Sequence, residues 1–177
     1  VEALAGQDRA LVYLYFNELD KAGHRYGSSS VEWGNALEEL DSDMRRLAGQ
    51  LPADTLLLLT ADHGMLDVSR EHRYDYSLQP ELVEGVRHTG GEPRLVHLYL
   101  EPDAGARQRD KLTKAWRESF GKHAWILDRD EAVAHGLFGR VDASVLPRIG
   151  DLMIAAREPI ALYDTRRVAE RAMDVVG

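Results

Sequence analysis

Leu11-Val12-Tyr13-Leu14-Tyr15-Phe16 and Leu56-Leu57-Leu58-Leu59, separated by the segment from Val31 to Leu51, decide how this chain reads. Each run is continuously apolar, as in a strand buried on both faces. Between them Trp33, Leu37, Leu40, Met44, Leu47 and Leu51 recur at helical spacing. Ser30 is placed to cap that helix, Glu32 lies near the positive end of its dipole, and Pro52 closes it. Strand, long helix and strand over residues 11–60 predict a βαβ unit, whose two strands run parallel because the crossover is long.

The remainder of the chain reads as shorter elements. Residues 66–93 carry many charges, Gly90-Gly91 and two prolines, and read as a long loop of the kind that often has a function. Residues 94–101 alternate in polarity and predict a strand. A charged helix is expected over 106–120, a short strand at 125–127 and a short helix over 129–135 ended by Gly136. Two more strands are expected at 151–156 and 160–163, joined by the turn-forming Arg157-Glu158-Pro159. No internal repeat, low-complexity tract or heptad pattern is present.

Composition narrows the function classes. With 44% hydrophobic and 29% charged residues in a chain of 177, a packed core is expected rather than disorder. No apolar run approaches the ~20 residues of a membrane helix. The net charge of −8 argues against polymeric nucleic acid as a partner, because such binding depends on neutralising many phosphates. A small phosphate ester stays open, since bound divalent cations can reverse the sign of a site. The chain has no cysteine, so a metal here must use imidazole, carboxylate and water, which suit zinc, manganese or magnesium. Absence of cysteine also fits a reducing compartment, and a cytoplasmic location is expected. Neither end reads as a signal peptide. The start at Val1 and the stop after the apolar run 173–176 suggest a piece of a longer protein.

Two acidic–imidazole pairs follow the two predicted strands. Asp20 and His24 are four residues apart, so one helical turn would set them on one side, with Gly23 easing the backbone between them. Asp62 and His63 are adjacent and are followed by Gly64. In a parallel α/β sheet, ligands gather at the carboxyl ends of the strands, so both pairs are expected at one sheet edge. Either pair alone is commonplace as an ion pair or a turn; together they point to a metal site. The other histidines read differently: His97, in mid-strand, as a packed structural residue, and His72, His88, His123 and His135 as surface groups.

The segment 17–27, Asn-Glu-Leu-Asp-Lys-Ala-Gly-His-Arg-Tyr-Gly, resembles the Glu-Pro-Asp-x-x-Gly-His-x-x-Gly segment of the type I phosphodiesterase/nucleotide pyrophosphatase family. Leu59-Thr60-Ala61-Asp62-His63-Gly64-Met65 resembles that family's Ser-Asp-His-Gly-Met. Gly90-Gly91-Glu92-Pro93-Arg94, with His97 beyond, resembles bacterial members, and Arg148-Ile149-Gly150-Asp151 is similar to a further shared segment. Leu19 stands where proline is usual and Ala61 where serine is usual; neither change removes a ligand.

The resemblance implies an alkaline-phosphatase-like α/β sandwich, with a mostly parallel sheet flanked by helices and truncated at both ends. Residues 1–177 would form a single domain, the C-terminal portion of a larger phosphodiesterase catalytic domain. It further implies two divalent metals, zinc before manganese or magnesium, one on Asp20 and His24 and the other on Asp62 and His63. The implied activity of the intact protein is hydrolysis of phosphodiester or pyrophosphate bonds in a small phosphate ester or nucleotide, the metals clamping an in-line displacement. The family's nucleophilic threonine and its late Gly-x-His-Gly segment have no match here. This chain alone is therefore expected to be inactive, with two family ligands per metal and no assigned nucleophile. A phosphomonoesterase, sulfatase or phosphomutase of the same superfamily is a sister reading, and a metal-free binding or scaffold domain is the alternative of another class.

Overall fold

The computed structural model describes residue 4 and residues 9–167. The chain divides into two compact units, one ending at Asp67 and the other beginning at Val68. The apolar run at 173–176 lies outside the described residues.

The first unit is built on two helices that pack together, α1 (Glu18–Tyr26) and α2 (Val31–Ala48). Ser30 caps α2 as expected, its hydroxyl accepting from the Trp33 amide at 3.1 Å. The same hydroxyl donates to the Gly27 carbonyl at 2.7 Å, so one serine closes the turn from both sides. The predicted βαβ unit keeps this helix but not its strands. Neither 11–16 nor 56–59 pairs with another strand among the described residues. Their side chains are open to solvent, Leu11 at 97% and Leu56 at 81%. The physical reason is that an apolar run becomes a buried strand only when ladder partners flank it and a layer covers each face. Apolarity states the demand without supplying the partners.

The second unit holds the buried core. Its strands are β1 (Arg73–Asp75), β2 (Val86–Glu92), β3 (Leu95–Leu100), β4 (Ala124–Asp128), β5 (Leu152–Ala156) and β6 (Ala161–Tyr163). β2-β3-β5-β4 form a four-stranded sheet in which every neighbouring pair is antiparallel, and β1 and β6 form a separate parallel pair. The architecture is therefore mixed α/β with small, mostly antiparallel sheets, and the expected mostly parallel sheet is not what these residues build. A parallel neighbour needs a crossover of a dozen or more residues, whereas β2 and β3 are joined by two residues.

One face of this sheet is covered by α3 (Ala106–Phe120). Leu112, Trp116 and Phe120 recur at helical spacing and are buried with Val96, Leu98, Leu100, Ile126, Leu152 and Ile154. The Trp116 indole donates to the Leu82 carbonyl at 3.0 Å, so the largest side chain of the core leaves no polar atom unpaired. The short helix α4 (Arg129–Ala134) starts on a capping box between Asp128 and Glu131.

The segment 148–151 is held group by group. The Tyr99 hydroxyl donates to the Arg148 carbonyl at 2.6 Å, and Arg129 Nε to the Ile149 carbonyl at 2.8 Å. The Gly150 amide donates to His97 Nδ1 at 3.1 Å, and Asp151 accepts from the Leu100 amide and from Arg129. His97 is thus a structural residue, as its mid-strand position predicts. Burial pushes its pKa below the usual histidine value. Gly150 is required here by space, since a Cβ would lie 2.9 Å from His97 Cβ. Arg166 and Arg167 both engage the buried carboxylate of Asp164, at 2.8 and 3.4 Å. No helix among the described residues is long and apolar enough to cross a membrane.

Candidate metal centre

The site lies wholly in the first unit. α1 is only nine residues long and its Asn17 cap makes no side-chain bond. Its charges follow the helix dipole, with Glu18 and Asp20 in the first turn and His24 and Arg25 in the last. The four-residue spacing brings Asp20 and His24 together as the sequence predicts, His24 Nε2 lying 3.3 Å from Asp20 Oδ1.

His63 joins them from the loop at the far end of the unit. Its Nε2 is 3.6 Å from Asp20 Oδ1, and its ring centroid is 6.0 Å from that of His24. Asp20, His24 and His63 each offer a ligand atom, all within 4.8 Å of one another. Asp62 stands at the edge of this group: its carboxylate is 3.9 Å from His63 Nε2, and its side chain is 82% exposed. Of the four predicted ligands, three converge on one point and the fourth borders it.

The donor set suits a divalent cation. One carboxylate and two imidazoles are the ligand types zinc accepts at ~2.0–2.2 Å. His63 Nδ1 lies 2.9 Å from the Gly64 carbonyl, which can only accept, so the hydrogen sits on Nδ1. A ring with its hydrogen on Nδ1 leaves Nε2, 3.6 Å from Asp20 Oδ1, able to serve as a ligand atom. A backbone carbonyl that fixes the tautomer in this way is the usual outer support of a metal-bound histidine.

The contact between α1 and the His63 loop joins one residue from each motif segment, Gly23 and Met65. Gly23 is buried in α1, and a Cβ there would lie 2.5 Å from Met65 Cε. The glycine between Asp20 and His24 therefore admits the Met65 side chain as well as relaxing the backbone. Sequence alone could signal this only through the pairing of a small residue on one segment with a methionine on the other.

A sequence model of the family described as type I phosphodiesterase / nucleotide pyrophosphatase matches residues 2–174. Ectonucleotide pyrophosphatase/phosphodiesterase family member 7 of Mus musculus is 36% identical over 70 residues, covering 37% of this chain and 16% of that protein. The Homo sapiens counterpart is 36% identical over 69 residues, 36% of this chain and 15% of that protein. Among solved structures, murine ectonucleotide pyrophosphatase / phosphodiesterase 5 superposes with a TM-score of 0.65 at 18% identity, over 85% of this chain and 39% of that one. An inactive variant of the same murine protein, in complex with AMP, superposes with a TM-score of 0.62 at 19% identity, over 84% of this chain and 38% of that one. The chain thus spans well under half the length of the relatives and structures it matches.

Proposed function

The chain belongs to the type I phosphodiesterase/nucleotide pyrophosphatase family, and on that premise we propose that it carries the metal-binding part of a hydrolase that cleaves phosphodiester or pyrophosphate bonds. Asp20, His24, Asp62 and His63 are the ligands in this reading, and the metals are two divalent ions, zinc before manganese or magnesium. The observation that carries the proposal is the convergence of Asp20, His24 and His63 within 4.8 Å, with His63 Nε2 3.6 Å from Asp20 Oδ1. When bound, such ions supply positive charge for the phosphoryl oxygens and lower the pKa of a coordinated water. The residues of this chain hold and orient: α1 presents Asp20 and His24 on one face, and the Gly64 carbonyl fixes the His63 ring. Asp62 offers an exposed carboxylate at the rim for a second ion.

The substrate we assign is a small phosphate ester or nucleotide. The AMP complex of the murine relative supports a nucleotide, and the net charge of −8 argues against a nucleic acid polymer. We further read the chain as the C-terminal portion of a larger catalytic domain, in which 11–16 and 56–59 become inner strands of an alkaline-phosphatase-like sheet. Their exposed apolar side chains support this, as does the 39% coverage of the murine structure. No segment here resembles the family's nucleophile, so the chain by itself is expected to bind metal without turning over.

Zinc titration of the wild type and of Asp62→Ala tests the reading. Saturable binding by the wild type, weakened in the variant, supports it. Equal and negligible binding in both favours the alternative of a metal-free scaffold.

A further inference from the structure

We propose that Asp67 is a positioning residue for this metal centre, fastening the loop that carries Asp62 and His63 to the end of the helix that carries Asp20 and His24. The inference rests on the metal-binding reading and deepens it, because neither resembling motif includes Asp67.

The geometry is local and specific. Asp67 Oδ1 accepts the Ser28 amide at 2.8 Å across 39 residues of sequence. The same carboxylate lies against Gly27, where a Cβ would come 3.1 Å from Oδ2 and 3.3 Å from Cγ. Gly27 is buried and has φ +89, a conformation that a side chain would strain. It also ends α1, its amide returning to the Gly23 carbonyl at 2.8 Å. The α1–α2 turn is thus braced from within by Ser30 and from the His63 loop by Asp67.

Register makes the fastening consequential. Met65 sits on Gly23 and Asp67 on Gly27. The two glycines are four residues apart and so lie one turn apart on one side of α1, a rise of about 6 Å. Met65 and Asp67 are two residues apart, a step of about 6.5 Å in extended chain. The segment 63–67 can therefore lie along the helix with both contacts made together. His63, two residues before Met65, is carried by that alignment to Asp20 and His24. Loss of the Asp67 contact leaves the apolar Met65 contact alone to set the slide of the loop. A displacement of about 1 Å is enough to spoil a metal or catalytic geometry.

The test compares Asp67→Ala with Asp67→Asn, which keeps an acceptor oxygen for the Ser28 amide and removes the charge. Zinc affinity is measured together with the visible absorption of the Co(II) form. Asp67→Ala is expected to bind zinc about tenfold or more weakly, the scale of lost outer-shell support, and to shift the Co(II) bands. Asp67→Asn is expected to stay within about threefold of wild type with unchanged bands, a rescue that separates a hydrogen bond from a charge effect. Wild-type affinity and spectrum in Asp67→Ala, with binding abolished in Asp20→Ala, would overturn the positioning role while leaving the metal reading intact. Equal losses in both Asp67 variants would overturn the hydrogen-bond fastening. A readout without metal covers failure of the metal reading itself. In the metal-free chain, Asp67→Ala should accelerate hydrogen exchange at the Ser28 amide and shift the His63 ring resonances; unmoved His63 resonances would overturn the proposal.

Discussion

The two units of this protein place their apolar residues in opposite ways. After Val68, Trp116, Leu98, Leu152 and Ile154 are fully buried, and the sheet is ordered by pairing along four strands. Before it, α2 has no buried residue, and the most apolar runs of the chain, 11–16 and 56–59, face solvent. The candidate metal centre sits in the second kind of region. Burial of apolar area is what stabilises a fold, whereas ligand groups must stay within reach of ions and substrate. The difference teaches that the apolar content of a segment does not say where its stability comes from.

Substitutions should separate the two regions most strongly in the core. Trp116→Ala removes the largest buried side chain and its bond to the Leu82 carbonyl, and should cost about 3–5 kcal/mol in chemical denaturation. Leu37→Ala on the exposed face of α2 should cost under about 1 kcal/mol in the same assay. Similar costs for the two would break the contrast. Next in size, Gly150→Ala should cost about 1–3 kcal/mol, because its Cβ meets His97 Cβ at 2.9 Å and the Leu98 amide at 3.0 Å.

Acid should act on the core unit in two stages. Burial holds His97 below the ordinary histidine pKa of 6.5, so its neutral form belongs to the folded state. The stability it contributes is complete above pH ~6.5 and falls as pH drops below that value, because the unfolded chain takes the proton first. Asp164 follows at lower pH. Burial alone would raise its pKa, but the hydrogen bond and charge of Arg166 outweigh burial and hold it below 3.8. Its contribution is therefore present above pH ~3.8 and is lost as pH falls through the folded value. Denaturation midpoints across pH 3–8 check both stages, and His97→Gln should remove the first.

The smallest structural effect is expected at the site. Asp62→Ala alters an exposed side chain and should change stability by no more than ~0.5 kcal/mol, while weakening metal binding.

How far the sequence was legible follows the same division. The Asp20–His24 pair could be read from its spacing because a helical turn is a local object. The convergence of His63 on that pair depends on Met65 meeting Gly23, a contact between distant segments with no periodicity to announce it. In the core unit, β3, α3, β4 and α4 fall where alternation, helical spacing and capping residues put them. β2 falls within the stretch 66–93 that reads as loop from its charges, its prolines and Gly90-Gly91. It is an edge strand that exists through its ladder with β3. The segments 11–16 and 56–59 show the converse: their composition matches an inner strand, but strand formation is a property of pairs, and no partner strand flanks them among the described residues.

The central claim is that Asp20, His24 and His63 form one cation site. Crystals of the chain soaked in zinc and measured at the zinc absorption edge test it most directly. The account predicts an anomalous peak within about 2.0–2.2 Å of Asp20 Oδ1, His24 Nε2 and His63 Nε2. Full zinc occupancy elsewhere on the surface, with no peak among these three atoms, would contradict it.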